Sequence, residues 1–522
     1  MGLQNWIQNH RYGLVFILIL FLAVVVRVFQ FGQLPYGINQ DEASMAYDAY
    51  ADMTYGMDRN GDHNPVYAVA WGSGQNMGYN YLVRPFIALF GLNIVAVRLP
   101  MLLLSLPTLA LFYGFLKECF GKKTALMGFF LMAICPWHIM ISRWALESNL
   151  AVPLMVGAAY AFALARRRNA FFILGMALSG LCLYAYSATM IFMALFLPAV
   201  TLWALLQKGW KRRYILIGCG VFLIVALPLI LFLAVNMLGL EPFTFLGLSI
   251  PRLTAMRSGA TVNLFSGNFF ASLWGNLISL LKLLFTMDDG LISNAIPGIG
   301  AIYLIAVPFI FLGTIPLAKA LRARNSVAWI PTLWVGAAVL HTLVIVVNIN
   351  RCNILFPALI ALAAMGLVHF MERIRGSVSF LFAGLLISFT LFCSQYFTDY
   401  NARAQNLFFG GFDEALAQIS EQTDRVYLSN KVQQPYIFAL YEDKTDPHLY
   451  LDTVEFYNPG DPFEFVRSFG RYRTGIPERI DPVERAAYIL RSDEYDSSLF
   501  DGIPCEVKTF GYYYLVQVMG RP

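Results

Sequence analysis

The chain has 522 residues, 58% hydrophobic and 13% charged, with a formal charge of +5 and a mean hydropathy of +0.60. An average soluble domain carries roughly 25% charged residues, so the composition excludes a soluble enzyme and describes an integral membrane protein. Lys and Arg cluster between apolar runs, and no basic stripe interleaved with aromatics, the mark of a nucleic-acid partner, is present.

In chain order, NHRYGLVFILILFLAVVVRVF joins a basic flank to a long apolar run with no small-residue cleavage site after it, which predicts an uncleaved signal anchor as the first span. Apolar runs of about 17 to 25 residues cross a bilayer as helices because each satisfies its backbone polar groups internally. Such runs fall near 14–32, 93–116, 124–141, 149–165, 170–187, 189–206, 213–235, 300–317, 327–347, 353–371 and 377–395, about eleven spans. Alternate connections hold the basic clusters: Arg11; Lys117, Lys122 and Lys123; Arg166 to Arg168; Lys208, Lys211, Arg212 and Arg213; Lys319, Arg322 and Arg324; Arg373 and Arg375. The positive-inside rule makes these connections and the N-terminus cytoplasmic. The loops 33–92 and 236–299 and everything after about 396 are then expected outside the cytoplasm.

Within 236–299, NFFASLWGNLISLLKLLF is apolar but interrupted by Lys282, and it reads as an interfacial amphipathic helix. A span there would reverse the parity downstream. After 396 the sequence turns to mixed polar segments such as DRVYLSN and EVKTFGYYYLVQV, which predict an α/β domain of roughly 120 residues over 396–522. The expected fold class is an α-helical polytopic membrane protein over 1–395 with a C-terminal extracytoplasmic α/β domain. Seven cysteines, mostly in apolar segments and without CxxC spacing, indicate neither a zinc site nor a disulfide framework. The absence of a Walker-type glycine loop counts against a nucleotide-driven pump.

Several polar groups stand out at the outer ends of spans or in the outer loops, each with two readings. Asp41 and Glu42, in QDEASMAYDAY, either start a helix, where an acid complements the dipole, or do chemistry; a cap accounts for one acid better than for two. Arg143 and Glu147, in ISRWALESN, are four residues apart and fit a helix-surface ion pair worth a few tenths of a kcal/mol, or a site. Arg351, beside Asn350 in NINRCN, either snorkels to the interface or meets an anion. Asp58 and Asp62, in GMDRNGDHNP, suit turn caps, and His63 has no second His near it to make a metal pair. Tyr184 and Tyr186, in LYAYSATM, suit an interfacial aromatic belt or a site.

The order of QDEASMAYDAY, GMDRNGDHNPVYAVAWGSGQNMGYNYLVRPFIALFG, VRLPMLL, PWHIMISRWALESN, LYAYSATM and NRCNILFPALIALAAMG resembles the C-type membrane glycosyltransferases close to family 39 over roughly residues 10–395. Protein O-mannosyltransferases, aminoarabinose transferases and RgtA-like enzymes are its relatives. The sequence departs from the family at Gly78 and Tyr79, where many relatives have an acid and a proline pair, and at Cys352 in the late arginine motif.

The resemblance implies transfer, with inversion, of a sugar from a polyprenyl-phosphate donor to a hydroxyl of a cell-envelope glycan, lipid or protein outside the cytoplasm. It implies Asp41 as general base, with Glu42 beside it at the catalytic centre, holding acceptor or an interfacial arginine. A general base contributes on the order of 10²- to 10⁴-fold. Arg143 and Arg351 are the expected cations for the leaving phosphate, with Glu147 orienting one of them. Asp58, Asp62, His63, Tyr79, Tyr186 and Asn350 are expected to support substrate binding. No dedicated ligand cluster assigns a metal, and a divalent cation is the alternative to an arginine in this role. The expected location is the plasma membrane. Two rival readings are a transporter or flippase of lipid-linked saccharides, which the charge-free centres of the spans disfavour, and a non-catalytic envelope-assembly scaffold.

Overall fold

A computed structural model describes residues 3–255, 262, 267–374 and 376–520. Arg375 of the last basic cluster and parts of the 236–299 segment lie outside the described residues. The chain forms two compact units: Met1–Phe31 with Met101–Leu227 and Ser258–Asp399, and Gly32–Pro100 with Pro228–Arg257 and Tyr400–Pro522.

The first unit is helical. Among the described residues of the whole chain, nine helices are long and apolar enough to cross a membrane, and the shorter apolar helices Tyr12–Val28 and Phe171–Ala185 match two further expected spans. The expected run 124–141 is instead two helices, Lys122–Ile134 and Pro136–Ile141. Pro136 provides the reason: it disfavours helical backbone at the residue before it, and Cys135 is extended (φ −65°, ψ 123°). Phe269–Thr286, expected to be interfacial, is a continuous 18-residue helix that meets the length and composition of a span. Close packing comes from glycine: helices Val307–Leu312 and Leu355–Arg373 approach so nearly that a Cβ at Gly313 would lie 2.0 Å from the Leu362 carbonyl oxygen, and one at Gly366 2.0 Å from that of Phe309.

The second unit centres on a seven-stranded mixed sheet. From one edge its strands are Cys505–Phe510, Tyr513–Val518, Ala486–Arg491, Arg425–Leu428, Tyr472–Thr474, Val466–Phe469 and Glu455–Phe456. Arg425–Leu428 pairs in parallel with both neighbours, and the other pairs are antiparallel. One face carries the core of Tyr488, Leu490, Phe500, Val516 and Val518. The segment expected as a loop at 33–92 belongs to this unit. Its helix Gln40–Tyr55 packs on helix Pro435–Asp443, Tyr47 Oη donates to the Thr445 carbonyl at 2.7 Å, and the Glu464 amide donates to the Trp71 carbonyl at 2.9 Å.

Candidate functional site

Helix Gln40–Tyr55 begins with a capping box. The Asn39 side chain accepts from the Asp41 amide at 2.9 Å, and Glu42 Oε2 accepts from the Asn39 amide at 3.1 Å. The cap is therefore Asn39, and the two acids have different surroundings. Glu42 is fully buried, and its Oε1 and Oε2 accept from Nε and Nη2 of Arg98, each at 2.8 Å. Arg98, also fully buried, donates in addition to the carbonyls of Pro35 (2.7 Å) and Gly37 (2.8 Å). Glu42 thus fixes the helix start and holds an arginine, Arg98, as one of the two roles expected for it has it. Asp41, one residue earlier on the helix, is only half-buried.

A polar chain continues along the same helix. Gln75 Nε2 donates to the Asp41 carbonyl at 3.4 Å, Ser44 Oγ donates to Gln75 Oε1 at 2.7 Å, and Arg59 Nη2 donates to Ser44 Oγ at 2.7 Å. Arg59 lies 3.6 Å from Asp48 and stacks over Trp71, 4.7 Å from the ring centroid. All of Asp48, Arg59 and Ser44 are buried. Burial raises the Asp48 carboxyl above its ordinary range, against the pull of Arg59. For Arg59 burial acts against the charge, but Asp48, then Tyr436 and Tyr450, outweigh it and hold the guanidinium protonated.

Of the loop acids, Asp58 caps its own turn: Oδ1 accepts from the amides of Asn60 (2.8 Å) and Asp62 (3.0 Å), while Oδ2 is buried without a hydrogen-bond partner. Burial, and then the charges of Asp48 and Asp62, push its pKa well up. Asp62 accepts from Ser249 Oγ at 2.6 Å; burial raises its pKa, with the Ser249 bond opposing. His63 is exposed and pairs with Asp52 at 2.8 Å, and Asp52 also accepts from Arg84 at 2.6 Å. Tyr79 is fully buried, and its hydroxyl donates to the Val97 carbonyl at 2.8 Å. Among the described residues, no group of three or more His, Cys, Asp and Glu side chains is arranged to hold a metal ion.

The remaining expected residues belong to the helical unit. Helix Pro136–Ile141 ends before Arg143, and Glu147 opens the 3₁₀ turn Glu147–Leu150, so the two do not lie on one helix surface. Arg143 is fully buried and donates to the carbonyls of Arg27 and Gln30, each at 2.8 Å, at the end of helix Leu3–Val28. Orphan carbonyls and the helix dipole at a C-terminus both favour such a cation. Arg27 in turn donates to the carbonyls of Met132 (3.2 Å) and Ala133 (2.9 Å), just before the break at Cys135.

Asn353 joins the two motifs quoted from this unit. It accepts from Trp137 Nε1 at 2.9 Å and donates to Ser148 Oγ (3.2 Å) and Asn149 Oδ1 (3.1 Å). PWHIMISRWALESN and NRCN are thus in direct contact. Arg351 and Asn350 are half-buried, with the Arg351 amide on Asn348 Oδ1 at 2.8 Å and Asn350 Oδ1 without a hydrogen-bond partner. Tyr186 is half-buried at the end of helix Phe171–Ala185, where its carbonyl accepts from Thr189 Oγ1 at 2.6 Å.

Sequence reasoning passed over Arg98, Asp48, Asp52, Arg59 and Arg84. Arg98, an arginine at the start of an apolar run in VRLP, had a visible signal, because an ionisable residue there needs a partner.

Compared with solved structures, the chain is similar to ArnT from Cupriavidus metallidurans bound to undecaprenyl phosphate, at 14% identity, TM-score 0.56 and full coverage of both chains. The same protein in the apo state gives a TM-score of 0.55 at 14% identity, covering 99% of this chain and all of that one. The fold is that of the C-type glycosyltransferases. Residues 75–232 match the family model for dolichyl-phosphate-mannose-protein mannosyltransferase. This C-type chain is also similar, at 12% identity and a TM-score of 0.45, to the Archaeoglobus fulgidus oligosaccharyltransferase tethered with an acceptor peptide, over 85% of this chain and 64% of that one. No curated protein matches the chain. The chain is therefore a multi-pass membrane protein with a C-type fold and a sheet-containing C-terminal region.

Proposed function

We propose that the protein is a membrane glycosyltransferase that moves a sugar from a polyprenyl-phosphate carrier to an acceptor hydroxyl outside the cytoplasm. The observation that carries this reading is the division of labour in the acidic pair. Glu42 is sequestered with Arg98, and the adjacent Asp41 is half-buried at a helix N-terminus, where the dipole favours negative charge. The C-type fold shared with a protein solved with undecaprenyl phosphate, and the match of 75–232 to a mannosyltransferase model, support it.

In this mechanism Asp41 takes the proton of the acceptor hydroxyl as its oxygen attacks the anomeric carbon. The bond from that carbon to the phosphate oxygen breaks, and configuration inverts in one displacement. The lipid phosphate leaves as an anion, so a fixed cation stabilises the transition state. We assign that cation to Arg351, since it is half-buried whereas Arg143 is committed to carbonyls. Asp62, His63, Tyr186 and Asn350 are assigned to substrate support.

The test is mass spectrometry of lipid-linked sugars and envelope glycans in cells carrying the intact protein or Asp41→Asn. Accumulation of a polyprenyl-phosphate sugar with loss of one glycan decoration is expected, with transfer slowed on the order of 10²- to 10⁴-fold. A profile identical to that of the intact protein, when deletion of the chain alters the envelope, would move the transporter or scaffold reading ahead.

A further inference from the structure

Two cavities of the helical unit adjoin and differ in chemistry. One, of about 490 Å³, is lined by Lys122, Lys123, Thr124, Asn325, His369 and Glu372 among others. The other, of about 480 Å³, is an apolar groove lined by Val15, Ile19, Met127, Phe130, Val378 and Phe382 among others. They share Lys123, Val368 and Glu372. Lys319 and Arg322 lie in the last turn of helix Thr314–Arg322, and Arg373 in that of Leu355–Arg373, so the polar end sits among basic residues.

We propose that the pair of cavities binds one anionic glycerophospholipid, its phosphate at Lys122 and Lys123 and an acyl chain in the groove. The charge is complementary, and basic pockets between membrane helices take such head groups. Lys122 lies over the Tyr12 ring at 6.0 Å, and Tyr is enriched at the level of the head groups. Lys123 pairs with Glu372 at 2.7 Å, but both side chains are more than half exposed, so the pair is weak and a phosphate replaces the carboxylate readily. Thr124, Asn325 and His369 suit the glycerol and ester oxygens of a phospholipid, which a prenyl phosphate lacks. The site is independent of the proposed transfer reaction.

Native mass spectrometry of the full chain, titrated with phosphatidylglycerol and with phosphatidylcholine of the same acyl chains, tests it. Preferential retention of phosphatidylglycerol is expected, weakened about fivefold by Lys122→Gln or Lys123→Gln, as about 1 kcal/mol per basic residue implies. Val378→Trp, which fills the groove, is expected to weaken it as well. Equal retention of the two lipids, or an unchanged preference in the lysine variants, overturns the proposal. So does equal competition by glycerol 3-phosphate, which makes the groove irrelevant, or by undecaprenyl phosphate, which makes the glycerol irrelevant.

Discussion

At the scale of single residues, the buried Glu42–Arg98 pair is the most consequential contact described. Removing one partner leaves the other charge uncompensated, at a cost of about 3–5 kcal/mol. Glu42→Gln or Arg98→Met alone is expected to lower the unfolding midpoint sharply in detergent, and Glu42→Leu with Arg98→Met to recover part of it. Single variants melting with the intact protein would show that the pair contributes nothing. Asp58 gives a prediction in pH. Burial, Asp48 and Asp62 raise its folded pKa above the unfolded value of about 4, so the folded state binds the proton more tightly. The sign follows: stability falls as pH rises above that unfolded value toward the folded one. Asp58→Asn keeps the turn-capping oxygen and is expected to flatten the loss of stability as pH rises above that unfolded value, measured by thermal unfolding. The helix start at NQDE was legible, since Asn three residues before Glu is a capping box, yet the cap fell on Asn39 rather than on either acid. The partner of Glu42 was not legible, because 56 residues separate it from Arg98 and no local pattern encodes that distance.

At the scale of elements, apolar length is one-dimensional information, and each expected run coincides with helical structure. The break at Cys135 was also written in the sequence, as Pro136, but the apolar run across it concealed it. Helix crossings are different, because they depend on which faces meet. Gly313 and Gly366 look alike with Gly336, yet only the first two face another backbone. Gly366→Ala is expected to destabilise by about 1–3 kcal/mol, as overpacking does. Gly336→Ala, with nothing within 4 Å of its new Cβ in helix Trp329–Leu343, is expected to be neutral or stabilising. Equal melting shifts for the two would contradict the close approach.

At the scale of the whole molecule, the second unit draws on three separated stretches of chain, Gly32–Pro100, Pro228–Arg257 and Tyr400–Pro522. Hydropathy marks where the chain turns polar, but it does not say which polar stretches fold together. That is why 33–92 read as a loop. Truncation after Asp399 removes helix Pro435–Asp443, the packing partner of Gln40–Tyr55. Trypsin is expected to cut at Arg59, fully buried in the intact protein, only in the truncated chain. Resistance at Arg59 in both would mean that the first stretch folds unaided. The discontinuity also sets a clock on synthesis. Pro100 and Tyr400 are 300 residues apart, and translation at about 5–20 residues per second takes roughly 15–60 s to cover that distance. For that interval Asp41 and its neighbours await the end of the chain, and a nascent protein stalled before it has every helix of its membrane part but an unfinished acidic face.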